Sequence, residues 1–191
     1  RLGQLISQGE DAKAAPALEP PDVFPLHPVG DEAEHAEAAR ARGAELLASG
    51  SVGFVLVAGG QGSRLGFDGP KGAFEVGPVA STSLFEWHAA RIEAAAKRHG
   101  FEPRWYVMTS AANDAPTREF FASHDSFGLP PKNVVFFQQD MLPALDLDGR
   151  IVLAGPGALF LAPNGHGGTL AALATSGALE DMRAAGIEQL S

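Results

Sequence analysis

The sequence predicts an α/β fold, with a mostly parallel sheet flanked by helices. Short runs rich in β-branched and aromatic residues, "VGFVLVA" (52–58), "RWYVMTS" (104–110) and "NVVFFQQ" (133–139), alternate with longer helix-patterned segments. Parallel strands joined by crossover helices require that alternation. The first run is continuous rather than alternating, as expected of a central parallel strand buried on both faces. A glycine-rich stretch follows it directly, beyond the carboxyl end of a strand, where open α/β sheets bind ligands.

Residues 1–30 are rich in proline (Pro16, Pro20, Pro21, Pro25, Pro28) and read as an extended arm. Asp31 to Ser49 is alanine-rich and charged, predicting a helix that stops at Gly50. Ser83 and Glu86 have capping-box spacing, and Gly100 ends the helix they start. The segment 113–124 is a further helix with Asn113 as a candidate cap. "LDLDGRIVLAGPGALFLA" (145–162) predicts two short strands about a Gly-Pro-Gly turn, with "LDLDG" as a hairpin turn of its own. A second glycine cluster, "PNGHGG", runs into a helix, "LEDMRAAG" continues helical, and an apolar register restarts at Ile187. Trp87, Phe120, Phe121, Phe136 and Phe137 are assigned to the core. Glu180 and Asp181 read as a first helical turn that suits the helix dipole.

Composition limits the function. With 14 basic against 23 acidic residues the net charge is -9, which argues against a nonspecific nucleic-acid binder. The absence of cysteine excludes disulfides, thiolate zinc sites and cysteine nucleophiles. No apolar run nears the roughly 20 residues of a membrane span, so no membrane partner is expected and the cytoplasm is the default compartment. The six histidines show no ligand spacing. The start at Arg1 and the restarted register near Ser191 suggest a piece of a longer chain.

"LVAGGQGSRLGFDGPKG" (56–72) holds six glycines, one arginine and one lysine. A Walker loop needs Ser or Thr after its lysine, whereas Lys71 lies between Pro70 and Gly72. A dinucleotide fingerprint needs G-x-G-x-x-G, and Gly60, Gly62 and Gly66 miss it by one. Two readings stay open, a plain surface loop and a local anion site. For the second, Gly59 and Gly60 offer backbone N–H groups without a Cβ in the way, Arg64 a planar donor fork and Lys71 a compact charge.

This stretch, with "WYVMTS", "FFQQDMLPALDLDGRIVL" and "APNGHGGTLAAL", resembles the UTP-dependent sugar-1-phosphate uridylyltransferases, the UDP-sugar pyrophosphorylase family, over Val52 to Leu190. The UDP-N-acetylhexosamine pyrophosphorylase branch is the most similar. The resemblance implies a nucleotide-diphospho-sugar transferase fold, Rossmann-like and GT-A-like, of which this would be the N-terminal part. It divides the chain into an arm and helix (1–50) and the nucleotide-binding half of a catalytic domain (51–191). Val57, Ala58, Gly59 and Gly60 would lie on the nucleotide, Gln139 would hydrogen-bond the uracil, Gly165 would approach the base, and Arg64 and Lys71 would face the triphosphate as catalytic cations. His166 departs from the Asn usual in the acetylhexosamine branch and is a candidate sugar-phosphate contact, leaving N-acetylglucosamine 1-phosphate and glucose 1-phosphate both open.

The implied substrates are therefore UTP and a hexose 1-phosphate, and the implied cofactor is magnesium. The metal-binding aspartate would lie beyond Ser191, so no metal ligand is expected within this chain. The alternative is a catalytically silent relative that binds uridine nucleotides through the same loop.

Overall fold

The computed structural model describes residues 19–77 and 80–191; Pro16 and the start of the arm lie outside them. In chain order the regular elements are α1 (Asp31–Ala48), β1 (Val52–Val57), α2 (Leu84–His99), β2 (Arg104–Thr109), α3 (Asp114–Ser123), β3 (Val134–Gln138), β4 (Met141–Pro143), β5 (Leu153–Gly155), β6 (Ala158–Leu159), β7 (Leu161–Pro163), α4 (Thr169–Thr175), α5 (Ala178–Ala184) and β8 (Gln189–Leu190). Residues 19–30 contain no helix or strand, as their prolines dictate.

The chain divides into two compact units. The larger, Ala41–Leu142 with Pro163–Ser191, carries a sheet of order β3-β2-β1-β8. All three of its pairings are parallel. Strand β2 shows why two layers of helix are needed. Trp105 and Val107 point into a cluster with Phe85, Ala89 and Ile92 of α2 and Phe121 of α3. Tyr106 and Met108 point the other way, against Ala172 and Leu173 of α4 and Ala178 and Met182 of α5.

Strand β1 departs from expectation. Val52 and Gly53 are buried, but Phe54 to Val57 are only half-buried. In the sheet β1 lies between β2 and β8 and pairs with β8 at Val52 and Gly53; Gly53 O accepts from Ser191 N–H and Ser191 O from Val55 N–H, both at 2.9 Å. The continuous apolar run is thus a correct sign of a parallel strand, while the strand buried on both faces is β2. Trp87 is a second correction. It is half exposed, because the buried stripe of α2 runs through Phe85, Ala89, Ile92 and Ala96 and leaves position 87 off that face. Phe121 and Phe137 are buried as expected, and Phe120 and Phe136 are partly so.

Asp181 does more than sit in a first turn. Its Oδ2 accepts hydrogen bonds from Arg104 Nη1 (2.7 Å) and Tyr106 Oη (2.8 Å), tying α5 to β2. Burial, and then this carboxylate, push the Tyr106 phenol up to about 12.

The smaller unit, whose described residues are 19–40 and Pro143–Ala162, contains the predicted hairpins. Strands β5 and β6 are antiparallel about Gly155-Pro156-Gly157. In the "LDLDG" turn Asp146 Oδ1 accepts from the N–H groups of Asp148 (2.9 Å) and Arg150 (2.8 Å).

The start of α2 is a complete capping box. Ser83 Oγ accepts from Glu86 N–H (3.2 Å), and Ser83 N–H donates to Glu86 Oε2 (2.7 Å). These bonds, the Ser83 backbone first, hold the Glu86 carboxyl below its ordinary value. Ser83→Ala is therefore expected to cost about 1 kcal/mol in urea unfolding at neutral pH. A depressed carboxylate stabilises above its unfolded pKa and loses that contribution as pH falls through the folded one. The backbone N–H of residue 83, the largest cause of the shift, remains in the variant, so only the smaller part of the deficit due to the hydroxyl should shrink as pH falls through the folded pKa of Glu86.

Candidate functional site

Past Val57 the chain stays on β2 for one more residue, with Ala58 N–H donating to Met108 O at 2.8 Å. The glycine stretch then doubles back as a small hairpin. Lys71 N–H donates to Gly60 O (3.0 Å), Gly62 N–H to Gly69 O (2.8 Å), and Gln61 faces Pro70. Residues 63–66 form the tip, closed by Gly66 at φ 68°.

Most of the glycines serve this hairpin itself. A Cβ on Gly59 would fall on the amide of Gln139, and one on Gly72 on the Phe85 ring. A Cβ on Gly62 or Gly69 would come within 2.7 or 2.8 Å of the Phe67 ring, which fills the loop and meets Phe74 edge-on at 5.8 Å. Gly60 differs. It is exposed, and a Cβ there would meet only Lys71, at 3.5 Å from Cε and 3.6 Å from Nζ, ordinary contact distances. The stretch lies largely at the surface and packs around its own aromatic residue.

Two residues given no site role from the sequence hold this loop. Asn113, read as a helix cap, makes no capping bond. Its fully buried side chain reaches instead to Ala58 O (2.8 Å) and Gly60 O (3.2 Å). Ser110 Oγ donates to Gly59 O at 2.9 Å. Gln61 Nε2 adds a bond to Ala112 O at 3.2 Å. The only local hint is Ser110 and Asn113 standing three apart just beyond a strand.

Gln139 lies one residue beyond β3, buried, with its N–H on Thr109 O at 2.9 Å. Its Oε1 accepts from Gly165 N–H at 2.7 Å, which leaves the Nε2 amino group packed over Gly59. Asn164 N–H on Asp140 O (3.0 Å) brings the second glycine cluster back to this place. Val57, Ala58, Gly59, Gly60, Lys71, Gln139 and Gly165 are thus gathered at the carboxyl ends of β1, β2 and β3. Arg64 stands exposed at the hairpin tip, and His166 is exposed on the turn Gly165–Gly168.

Neither Arg64 nor Lys71 pairs with an acid among the described residues. Beside Lys71 opens a pocket of about 200 Å³, walled by Leu56, Ala58, Gly60, Phe85 and His88. Burial, then the charge of Arg91, keep His88 below its ordinary value, so it is neutral at pH 7. A larger cavity, about 460 Å³, lies at the amino ends of the strands. Its two cations have carboxylate partners, Arg104 with Asp181 at 2.7 Å and Lys132 with Glu102 at 3.1 Å. Among the described residues no group of three or more His, Asp or Glu side chains converges. The donor set here does not form a magnesium cage.

The fold and the site define an α/β nucleotidyltransferase-like domain with a prefolded glycine hairpin at the carboxyl end of a parallel sheet. Comparison with known proteins makes the class specific. The family model for UTP–glucose-1-phosphate uridylyltransferase matches residues 26–190, and the chain belongs to that family. A probable UDP-N-acetylglucosamine pyrophosphorylase of Schizosaccharomyces pombe is 43% identical over 154 residues, covering 76% of this chain and 32% of that protein. The human UDP-N-acetylhexosamine pyrophosphorylase-like protein 1 is 39% identical over 203 residues, covering 98% and 40%. The crystal structure of the uridine diphosphate N-acetylglucosamine pyrophosphorylase of Trypanosoma brucei superposes with a TM-score of 0.79 at 32% identity, covering 97% of this chain and 40% of that one. The chain therefore spans about a third to two fifths of the length of these relatives.

The two adjacent glycines are expected to respond differently to alanine. Gly59→Ala displaces the Gln139 amide and should destabilise by about 1–3 kcal/mol. Gly60→Ala meets no obstacle and should stay within roughly 0.5 kcal/mol of the parent in chemical denaturation. Equal losses at both positions would show that the Gln139 contact is not what requires glycine.

Proposed function

We propose that the chain is the nucleotide-binding part of a uridylyltransferase that makes a UDP-sugar and pyrophosphate from UTP and a hexose 1-phosphate. The observation that carries this reading is the pair of cations, Arg64 and Lys71, which have no acidic partner among the described residues, on a prefolded hairpin in a chain of net charge -9. Membership of the family supports it. So does the naming of relatives as UDP-N-acetylglucosamine pyrophosphorylases, which favours N-acetylglucosamine 1-phosphate as the sugar substrate.

In this reading a phosphate oxygen of the sugar phosphate attacks the α-phosphorus of UTP and pyrophosphate leaves. The nucleophile is already an anion at neutral pH, so no general base is needed. What the reaction requires is alignment of two polyanions and stabilisation of charge on the leaving group. Lys71, lodged against Gly60 at the base of the hairpin, and Arg64 at its tip give two points of positive charge along a polyphosphate. The Nε2 group of Gln139 supplies a donor to a uracil carbonyl, with Gly165 holding the amide in orientation. In this reading Val57, Ala58, Gly59 and Gly60 form the floor of the nucleotide site, and His166, exposed on its turn, is assigned the contact to the sugar phosphate.

Magnesium belongs to the proposal as a metal that offsets phosphate charge. Because these residues do not form its cage, no step is assigned through it. Among the described residues no helix is long and apolar enough to cross a membrane, and the cytoplasm is the compartment assigned.

The test is pyrophosphate release by the longest form of the protein with UTP and magnesium, against N-acetylglucosamine 1-phosphate and glucose 1-phosphate in parallel. Release with the first in excess of the second is expected. UTP binding without release from either sugar would favour the silent binder. Lys71→Ala should lower turnover on the order of a hundredfold while changing UTP affinity far less. Gly60→Val should leave folding intact and abolish UTP binding, since its side chain would stand over the floor of the site; normal affinity would remove Gly60 from that floor.

A further inference from the structure

The bonds made by Ser110 and Asn113 have a directional consequence for the glycine loop. Asn113 Nδ2 donates to Ala58 O and to Gly60 O, which also accepts from Lys71 N–H. The single proton of the Ser110 hydroxyl has the carbonyl between them, Gly59 O (2.9 Å), and Asn113 Oδ1 (3.0 Å) as acceptors, the carbonyl being the nearer. The Asn113 amide cannot face the other way, because its Oδ1 accepts from Ser110 N–H at 2.8 Å. Three successive carbonyls are therefore drawn to one side. A peptide is planar and trans, so each carbonyl and the N–H of the next residue point in opposite directions. Drawing in the carbonyls of 58, 59 and 60 turns the N–H groups of Gly59, Gly60 and Gln61 away from the Ser110 and Asn113 side chains. Among the described residues, none of these three N–H groups donates to an acceptor.

The restraint falls where it is needed. The peptide between Gly59 and Gly60 has no Cβ on either side and is the easiest in the loop to rotate. A rotated peptide would present a carbonyl oxygen, not an N–H, to an anionic or carbonyl-bearing ligand. We propose that Ser110 and Asn113 are positioning residues, which lock the N–H groups of Gly59, Gly60 and Gln61 as a fixed set of donors toward the acceptor oxygens of a bound uridine nucleotide. The donors are then oriented before the ligand arrives, and binding does not have to supply the cost of ordering them. This inference rests on the uridylyltransferase reading for the identity of the ligand, and on the observed hydrogen bonds for the mechanism.

The test is UTP affinity by titration calorimetry on the full chain, with thermal midpoints measured in parallel, for the parent, Asn113→Asp and Ser110→Ala. Asn113→Asp keeps the size of the side chain and the acceptor for Ser110 N–H, but sets a carboxylate against two carbonyls. Its UTP affinity at pH 7.5 is expected to fall on the order of tenfold or more. Burial among carbonyls raises the pKa of such a carboxyl, and its protonated form donates again. The variant should therefore regain affinity relative to the parent between pH 7.5 and 5.5. Ser110→Ala, a milder change that decides the matter if Asn113→Asp does not fold, should weaken UTP binding by roughly threefold to tenfold.

A role limited to stability would lower the midpoints, leave the affinity of folded protein unchanged and give no recovery at low pH; that result overturns the proposal. A parent chain that binds no UTP would overturn the uridylyltransferase reading and the positioning role with it. A parent that binds while both variants bind equally well would overturn the positioning role alone.

Discussion

The carboxyl end of β2 is the point on which the rest of the site hangs. Trp105, Tyr106, Val107 and Met108 are all within 1% of complete burial, anchored alternately in the two helical layers. Dispersion and burial on both faces leave this strand little freedom to shift along its axis. Every segment of the site is then bonded to the residues that follow. Ala58 takes Met108 O, Gln139 takes Thr109 O, and the glycine loop takes Ser110 and Asn113. The loop is thus located by the most rigid strand of the sheet and not by the half-buried strand it extends.

That arrangement explains how a loop of glycines can be well defined. Six glycines in 17 residues should make a segment of high conformational entropy. Here most of them remove a steric obstacle: Phe67 fills the hairpin, Phe85 presses on Gly72 and Gln139 on Gly59. Each missing Cβ admits a contact that restricts the backbone. Glycine therefore acts in this loop mainly as a packing residue, while Gly66 serves the positive φ of the tip and Gly60 is left open beside Lys71.

Much of the layered fold was legible because its signals are local. The capping box, the αL stop at Gly100, the runs of β2 and β3 and the Gly-Pro-Gly hairpin are each written within a few residues. Features decided by distant partners were not. The second neighbour of β1 in the sheet, β8, comes more than 130 residues later and leaves no local sign in β1. The position of Trp87 depends on the rotation of α2 against the sheet. Asn113 carries the same local signature whether it caps a helix or reaches across more than 50 residues to Ala58. In the candidate site, the gathering of Gln139 and Gly165 beside Gly59 came with the resemblance, whereas the clasp that holds them had only a weak sequence signal.

The placement of charge separates the two ends of the sheet. At the amino ends Arg104 and Lys132 have carboxylate partners at hydrogen-bonding distance, so the cavity there offers an incoming anion little net attraction. At the carboxyl ends Lys71 and Arg64 have none among the described residues, although acidic residues outnumber basic ones in the chain. Exposed ion pairs contribute only about 0–1 kcal/mol each, so leaving these two cations unpaired costs the fold almost nothing. It does change the potential at the loop, since a paired lysine would present a dipole where an unpaired one presents a full charge. The N–H groups of residues 59–61, turned away from Ser110 and Asn113, add partial positive charge on the same segment. An acidic protein can in this way keep two cations unpaired on one short hairpin whose base is held by buried side chains.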